Sequence, residues 1–245
     1  METAMRARSI LSEEGILFLA RSLKQYASAA LEDQWLKYKY KLEYGAIAPQ
    51  PDERLWVDPT VLDYSIPAGG LYGYDRKYPR YGVLDGSWDQ HKGAWREWEV
   101  WLGLRDRFAE NVPWEETTYY QHAVNKIESG ESVGYLDGPQ TKANFESYLD
   151  NLDKLYEDMK HNGYEPSSII IVHIGRDGEW IVGQGNHRRI IASVIGIESV
   201  RVRVKYRHAE WQARRRRFYE ADSPDELSDY EAFRSHPDLP EVTPQ

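Results

Sequence analysis

The sequence predicts an α+β protein, with short strands and helices in its second half and a helical, aromatic-rich region before them. Three observations carry that prediction. Apolar residues recur at three- and four-residue steps from Asn144 to about Asn162, the period of a helix. The run Ser168-Ile169-Ile170-Ile171-Val172-His173-Ile174 that follows is continuous and β-branched, as a buried strand is. Val200, Val202, Val204 and Tyr206 then alternate with Arg201, Arg203, Lys205 and Arg207, the two-residue period of a strand with one apolar and one cationic face.

Length and composition set the bounds. With 245 residues, 41% of them hydrophobic and 13% aromatic, the chain can bury a sizeable core in one domain plus a large embellishment. Forty acidic against 31 basic side chains give a formal charge of −9, which excludes a general basic coat for nucleic acid. The absence of cysteine excludes disulfide scaffolds, thiolate zinc sites, iron–sulfur clusters and thiol chemistry, and makes a reduced, cytoplasmic compartment the default. The apolar run Gly15–Ala20 falls far short of the roughly 20 residues that span a bilayer, and its charged flanks do not suit a signal peptide.

Along the chain, Ser12 to about Glu43 reads as one long helix capped by Ser12-Glu13-Glu14, with Ile16, Leu19, Leu23 and Tyr26 on a packing face. Residues 45–90 hold five prolines and only short extended pieces, Leu55–Val57 and Tyr81–Leu84, and are expected to form a loop-rich wrap. A second helix is expected from about Lys92 to Phe108, bearing Trp95, Trp98 and Trp101 as a core stripe. Pro113–Thr117 reads as a turn or helix start. Phe145, Leu149, Leu152, Leu155, Tyr156 and Met159 line the helix that Asn162-Gly163 closes. Arg176-Asp177-Gly178 then turns residues 168–182 into a hairpin, a helix runs from Asn186 to Ile195, and the alternating strand follows Gly196. The expected organisation is a region 1–120, a domain 121–217 and an acidic tail 218–245.

Chemistry concentrates where the hairpin meets the helix. In Gly183-Gln184-Gly185-Asn186-His187-Arg188-Arg189, the glycines let backbone amides approach an anion and Asn186 is placed to cap the helix. The positive end of the helix favours phosphate, and two adjacent arginines offer a bidentate clamp. A structural strand-to-helix turn explains the same residues without a ligand. The stretch lacks both the third glycine of a dinucleotide fingerprint and the Gly-Lys-Ser/Thr ending of a P-loop.

Several features together, in order, resemble the N-terminal domain of the ParB/sulfiredoxin superfamily over about residues 121–217. They are Leu152-Asp153-Lys154-Leu155-Tyr156, Gly163-Tyr164, Ile170-Ile171-Val172, Arg176-Asp177-Gly178-Glu179, Gly183-Gln184-Gly185-Asn186-His187-Arg188, Ala192, Gly196 and Val202 with Val204. The resemblance implies a small mixed sheet with helices. It also implies that the box Gly183, Gly185, Asn186, His187, Arg188 and Arg189 holds the phosphates of a nucleotide. Asn186 stands where sulfiredoxins need cysteine, so their reductase chemistry is excluded. Only 28 residues follow Arg217, too few for the DNA-binding domain of partition proteins.

A third branch of the superfamily phosphorylates a small hydroxylated molecule, free serine, and would imply ATP, ADP or CTP with Mg²⁺ and a carboxylate base. Candidate carboxylates are Glu128, Glu131, Asp137, Glu146 and Asp153. Glu128, Glu131 and Glu146 are preferred because they sit at the edge of a glycine-bearing loop or on the domain helix. A non-catalytic nucleotide-sensing or interaction module remains the alternative. His173 reads as a core histidine, Asp177 as a turn residue, and Arg203 or Arg207 as facing the ligand. Seven arginines and one lysine against Glu210 give residues 201–217 a charge of +7, nearly cancelled by −7 over residues 218–245, which argues against nucleic acid. No protein-built metal site is expected from seven scattered histidines.

Overall fold

A helix without proline over 29 residues, Ile16–Tyr44 (α1), opens the part of the chain that the computed structural model describes, residues 16–66, 78–133, 139–165 and 169–239. The Ser12-Glu13-Glu14 cap expected before it lies outside the described residues. Two compact units partition the chain, the smaller comprising Met1–Pro51 with Pro79–Gly82. In it Leu36, Tyr40, Ala48 and Tyr81 form a small core with Tyr44 against it. Tyr81 donates its hydroxyl to the carbonyl of Asp33 at 3.3 Å, and Arg80 pairs with the Asp33 carboxylate at 2.9 Å. Gly82, at φ +126°, leaves room for the Tyr40 ring: a Cβ there would lie 2.1 Å from the tyrosine oxygen. The side chains of the expected packing face, Ile16, Leu19, Leu23 and Tyr26, lie outside what is described; over residues 27–43 Leu36 and Tyr40 are buried and most other residues exposed.

The larger unit is a mixed α+β fold, as its sequence periods predict. The strands of the sheet are β1 (Arg54–Val57), β2 (Tyr64–Ser65), β3 (Gly82–Leu84), β4 (Gly93–Ala94), β5 (Ile170–Ile174), β6 (Trp180–Gln184) and β7 (Val200–His208). They hydrogen-bond in the order β1-β7-β5-β6-β2-β4, with β3 also pairing with β7. The pairs β5–β7 and β2–β6 are parallel, while β1–β7, β5–β6 and β2–β4 are antiparallel. The Arg176-Asp177-Gly178 turn closes the expected hairpin, with Gly178 N–H donating to Gly175 O at 3.1 Å.

Helices α2 (Glu99–Phe108), α3 (Thr118–Glu128), α4 (Lys142–Asn162) and α5 (Asn186–Val194) bury Leu104, Phe145, Leu149, Leu152, Ile190 and Ile191 in one core with Ile170, Val172, Val182, Val202 and Val204. Each such apolar side chain contributes about 1.5–3 kcal/mol when fully buried. Ile181, Tyr206, Ile66 and Leu84 form the core on the other side, with Tyr64, Tyr78 and Trp88 packed on it. Helices α6 (Ala209–Glu220) and α7 (Tyr230–Phe233) complete the described chain.

Three expectations are corrected here. The division at residue 120 does not hold, because β1, β2, β3 and β4 belong to the same sheet as β5–β7; strands of two to four residues are too short to display a period. The helix expected from Lys92 starts at Glu99, with Trp98 extended at its N-cap and Trp95 in a 3-10 turn. The acidic tail is partly a built element: Asp238 is buried and accepts from Trp211 Nε1 at 2.8 Å and from Arg207 Nε at 2.9 Å.

Candidate anion site at the start of α5

β6 runs into α5 through one residue, Gly185, held in the left-handed region at φ +91°. Two facts demand glycine there. An L side chain rarely adopts that φ, and a Cβ would lie 3.1 Å from the Ile170 side chain and 3.2 Å from its Cα. Gly185, not Asn186, occupies the N-cap position, and no side chain caps the first turn. By contrast α3 and α4 are capped by Thr117 and Thr141, which accept from the amides of Tyr120 and Asn144. The first turn of α5 therefore lacks the N-cap side-chain bond that Thr117 and Thr141 supply to α3 and α4.

His187 lies in this first turn, half-buried, with Nε2 at 2.7 Å from the Tyr148 hydroxyl of α4. Tyr148 in turn is 3.5 Å from the hydroxyl of Tyr119 on α3. Burial, and secondly the charge of Arg188, push the His187 pKa down to about 4, so the ring is neutral at pH 7. Arg188 is half-buried, and among the described residues its Nε atom is enclosed without a hydrogen-bond partner. Its charge also acts on Tyr164, whose hydroxyl donates to Arg201 O at 2.9 Å near the starts of β5 and β7.

The other members of the box are placed differently. Arg189 is wholly buried: Nη1 donates to Leu62 O at 2.7 Å and to Tyr64 O at 3.3 Å, and Nη2 to Ser65 Oγ at 3.2 Å. It is a strut between α5 and the start of β2, so its Nη atoms are not placed for the expected two-arginine clamp. Neighbours on a helix point about 100° apart, which separates them. Asn186 accepts from Ser65 Oγ at 2.8 Å through its side-chain oxygen. Gly183 is buried within β6, where a Cβ would lie 2.6 Å from His173 Nε2. It serves sheet packing rather than the bend.

The proposed carboxylates are not gathered at this site. Glu128 ends α3 and is exposed. Glu131, also exposed, accepts from Ser129 Oγ at 3.0 Å. Glu146 accepts from the Tyr120 hydroxyl at 3.0 Å and lies 3.8 Å from Lys142. Asp153 is held by Arg107 at 3.0 Å and by Trp114 Nε1 at 3.0 Å, and Asp137 lies outside the described residues.

Arg207, expected at the ligand, is instead 1% exposed between Glu53 and Asp238. The bulge between Val172 and His173 shifts the β5–β7 register, and Tyr206, Arg207 and His208 are all buried. Arg203 stays on the half-buried face of β7, paired in register with Arg54. His173 is a core histidine at 2% exposure, as expected, although its Nδ1 has no hydrogen-bond partner. The cationic run on α6 is internally neutralised: Arg214 and Arg217 pair with Asp229, Arg216 with Glu220, and Arg215 with Asp238.

Sequence reasoning missed Tyr148 and Ser65. Tyr148 lies three residues after Phe145 on α4, so the helical period places it beside the packing face. Ser65 carries no such signal, because β2 has only two residues. Among the described residues no group of three or more His, Asp or Glu side chains is placed to hold a metal ion, and no helix is long and apolar enough to cross a membrane. Comparison with known proteins gives no match to any family model, curated protein or solved structure.

Proposed function

We propose that the protein binds the phosphate of a nucleoside phosphate at the first turn of α5, in the manner that its resemblance to the ParB/sulfiredoxin superfamily implies. The observation that carries this reading is Arg188, whose enclosed Nε lacks a partner beside a helix start that no side chain caps. A phosphate oxygen would answer both needs. The first-turn amides donate to it, the helix dipole favours its charge, and the guanidinium adds a charge-assisted bond of about 1.5–3 kcal/mol. Neutral His187, fixed by Tyr148, adds no cost of burying a second cation and shapes one wall. ATP, ADP or CTP, brought with Mg²⁺, are the ligands to test first, and a cytoplasmic setting suits them.

Between the two functions considered, a nucleotide-sensing or interaction module has the stronger support. Glu128, Glu131 and Glu146 are exposed, and Glu131 and Glu146 have partners of their own, so a general base beside the box rests on no observed contact. A phosphotransferase acting on a small hydroxylated molecule remains the second reading, supported by the family resemblance alone.

Thermal unfolding with ATP, ADP, CTP and inorganic phosphate, with and without Mg²⁺, tests the proposal, because a ligand at 100 times its Kd stabilises by about 2.7 kcal/mol. A rise in Tm that Arg188→Ala removes is expected. No rise with any phosphate at millimolar concentration overturns the reading. Incubation with γ-labelled nucleotide and a hydroxylated acceptor then separates the functions: binding without labelled product is the sensor, and labelled product is the transferase.

A further inference from the structure

The long helix α1 has apolar residues on two opposite sides. Leu36, Tyr40 and Tyr44 recur at four-residue steps and pack with Ala48 and Tyr81. Leu31, Trp35, Tyr38 and Leu42 recur at steps of four, three and four on the far side and are 60–71% exposed. A 4-3-4 spacing is the seam of a coiled coil, with Leu31 and Tyr38 at d positions and Trp35 and Leu42 at a positions. Scattered exposed apolar residues need no explanation, but four large ones in one seam do.

We infer that α1 pairs with α1 of a second copy of this chain, antiparallel, through that seam. Area and charge both point to this occupant. The four side chains leave on the order of 500 Å² of surface exposed on each helix. Mutual burial by two copies then removes about 1,000 Å², the lower bound for a specific contact.

In an antiparallel pair each a residue packs opposite a d residue. Trp35 meets Tyr38 of the partner subunit at the centre, and Leu31 meets Leu42 of the partner subunit at each end, so large side chains stack with large and medium with medium. The flanking e positions are Glu32 and Lys39, both exposed. Antiparallel pairing sets Glu32 against Lys39 of the partner subunit, twice by symmetry, and opposes the helix dipoles favourably. Parallel pairing would set Lys39 against Gln34 and Glu32 against Ala27, with no charge match. Lys39 Nζ lies 5.7 Å from the centre of the Trp35 ring and 5.5 Å from that of Tyr40.

Sedimentation equilibrium of the full chain from 1 to about 200 µM tests the inference. The expected mass rises with concentration from 28.6 kDa towards twice that value. Trp35→Glu should weaken association at least tenfold while leaving the far-ultraviolet circular dichroism unchanged, because the side chain is exposed in the monomer. Glu32→Lys and Lys39→Glu should each weaken it, and the double exchange should restore it, since the swapped pair faces itself again only when the helices are antiparallel. A chain that stays monomeric at the highest concentration, a dimer indifferent to Trp35→Glu, or single exchanges that weaken without rescue by the double exchange overturns the inference.

Discussion

Arg189 Nη1 donates to the carbonyl oxygen of Leu62 at 2.7 Å, across 127 residues of sequence, and so ties the first turn of α5 to the chain just before β2. The adjacent Arg188 is half-buried rather than wholly buried, and its Nε has no hydrogen-bond partner among the described residues. Two neighbouring arginines thus differ in kind: Arg189 is a buried strut, and Arg188 is the one proposed to meet the phosphate.

Their substitutions should separate accordingly. Arg189→Ala leaves the carbonyls of Leu62 and Tyr64 and the hydroxyl of Ser65 without their buried donor and opens a cavity, at a cost of about 3–5 kcal/mol. Arg188→Ala removes no hydrogen bond at Nε and should change stability by less than about 1 kcal/mol, yet abolish phosphate binding. Urea unfolding and equilibrium dialysis on both variants check this. Equal destabilisation by the two would refute the division of roles.

The Tyr148–His187 contact predicts a pH dependence. Burial depresses the His187 pKa from 6.5 to about 4, and that of His173 from 6.5 to about 3. The unfolded chain therefore binds more protons than the folded one between these limits, so the stabilisation is full above about pH 6.5 and fades as the pH falls towards the folded values. Each histidine contributes a slope of about 1.4 kcal/mol per pH unit within its window. Urea unfolding at pH 7.5 and 5.0 should show a loss of about 2 kcal/mol for each histidine, and His187→Asn should remove one share. A flat profile in the wild type would contradict the buried neutral rings.

Much of the fold could be read from residues with long or strong periods. Phe145, Leu149, Leu152 and Met159 marked α4, Gly163 marked its end at φ +76°, and the valines of β7 marked the buried face of its strand. What stayed hidden depended on contacts distant in sequence. Arg54–Val57 shows no alternation of its own to reveal that it pairs with Val200–Arg203. The bend at Gly185 was legible because glycine and a following helix are local signals. The inward turn of Arg189 was not, because its acceptors come from a segment 124–127 residues earlier whose approach only the folded sheet creates.

Asp238 should matter more than its place near the end of an acidic segment suggests. Its carboxylate lies with the Arg207 and Arg215 guanidiniums and Trp211 Nε1, and all four side chains are buried. Burial alone would raise its pKa, but the two arginines outweigh that and hold it below the usual carboxylate range. Asp238→Ala leaves the two buried guanidiniums sharing Glu53, at an expected cost of about 3–5 kcal/mol. Thermal unfolding of that variant, beside Asp225→Ala on the exposed part of the same segment as control, measures it. A loss within about 0.5 kcal/mol would show the segment to be a dispensable tail.

Gly103 in α2 packs against Tyr119 of α3, which leads by side-chain contacts to the candidate site. A Cβ there would lie 2.5 Å from the Cβ of Tyr119, the residue whose hydroxyl reaches Tyr148 and, through it, His187. Replacing glycine by alanine inside a helix ordinarily gains about 1 kcal/mol. Here the new methyl group meets a side-chain root rather than a flexible end, so α2 and α3 must separate. Overpacking costs typically 1–3 kcal/mol and should outweigh the propensity gain. Gly103→Ala should therefore destabilise the protein in urea unfolding. Tyr119→Phe should not relieve the clash, because it leaves the Cβ in place. Net stabilisation by Gly103→Ala would mean that the two helices yield freely, and that Tyr119 does not fix the position of Tyr148.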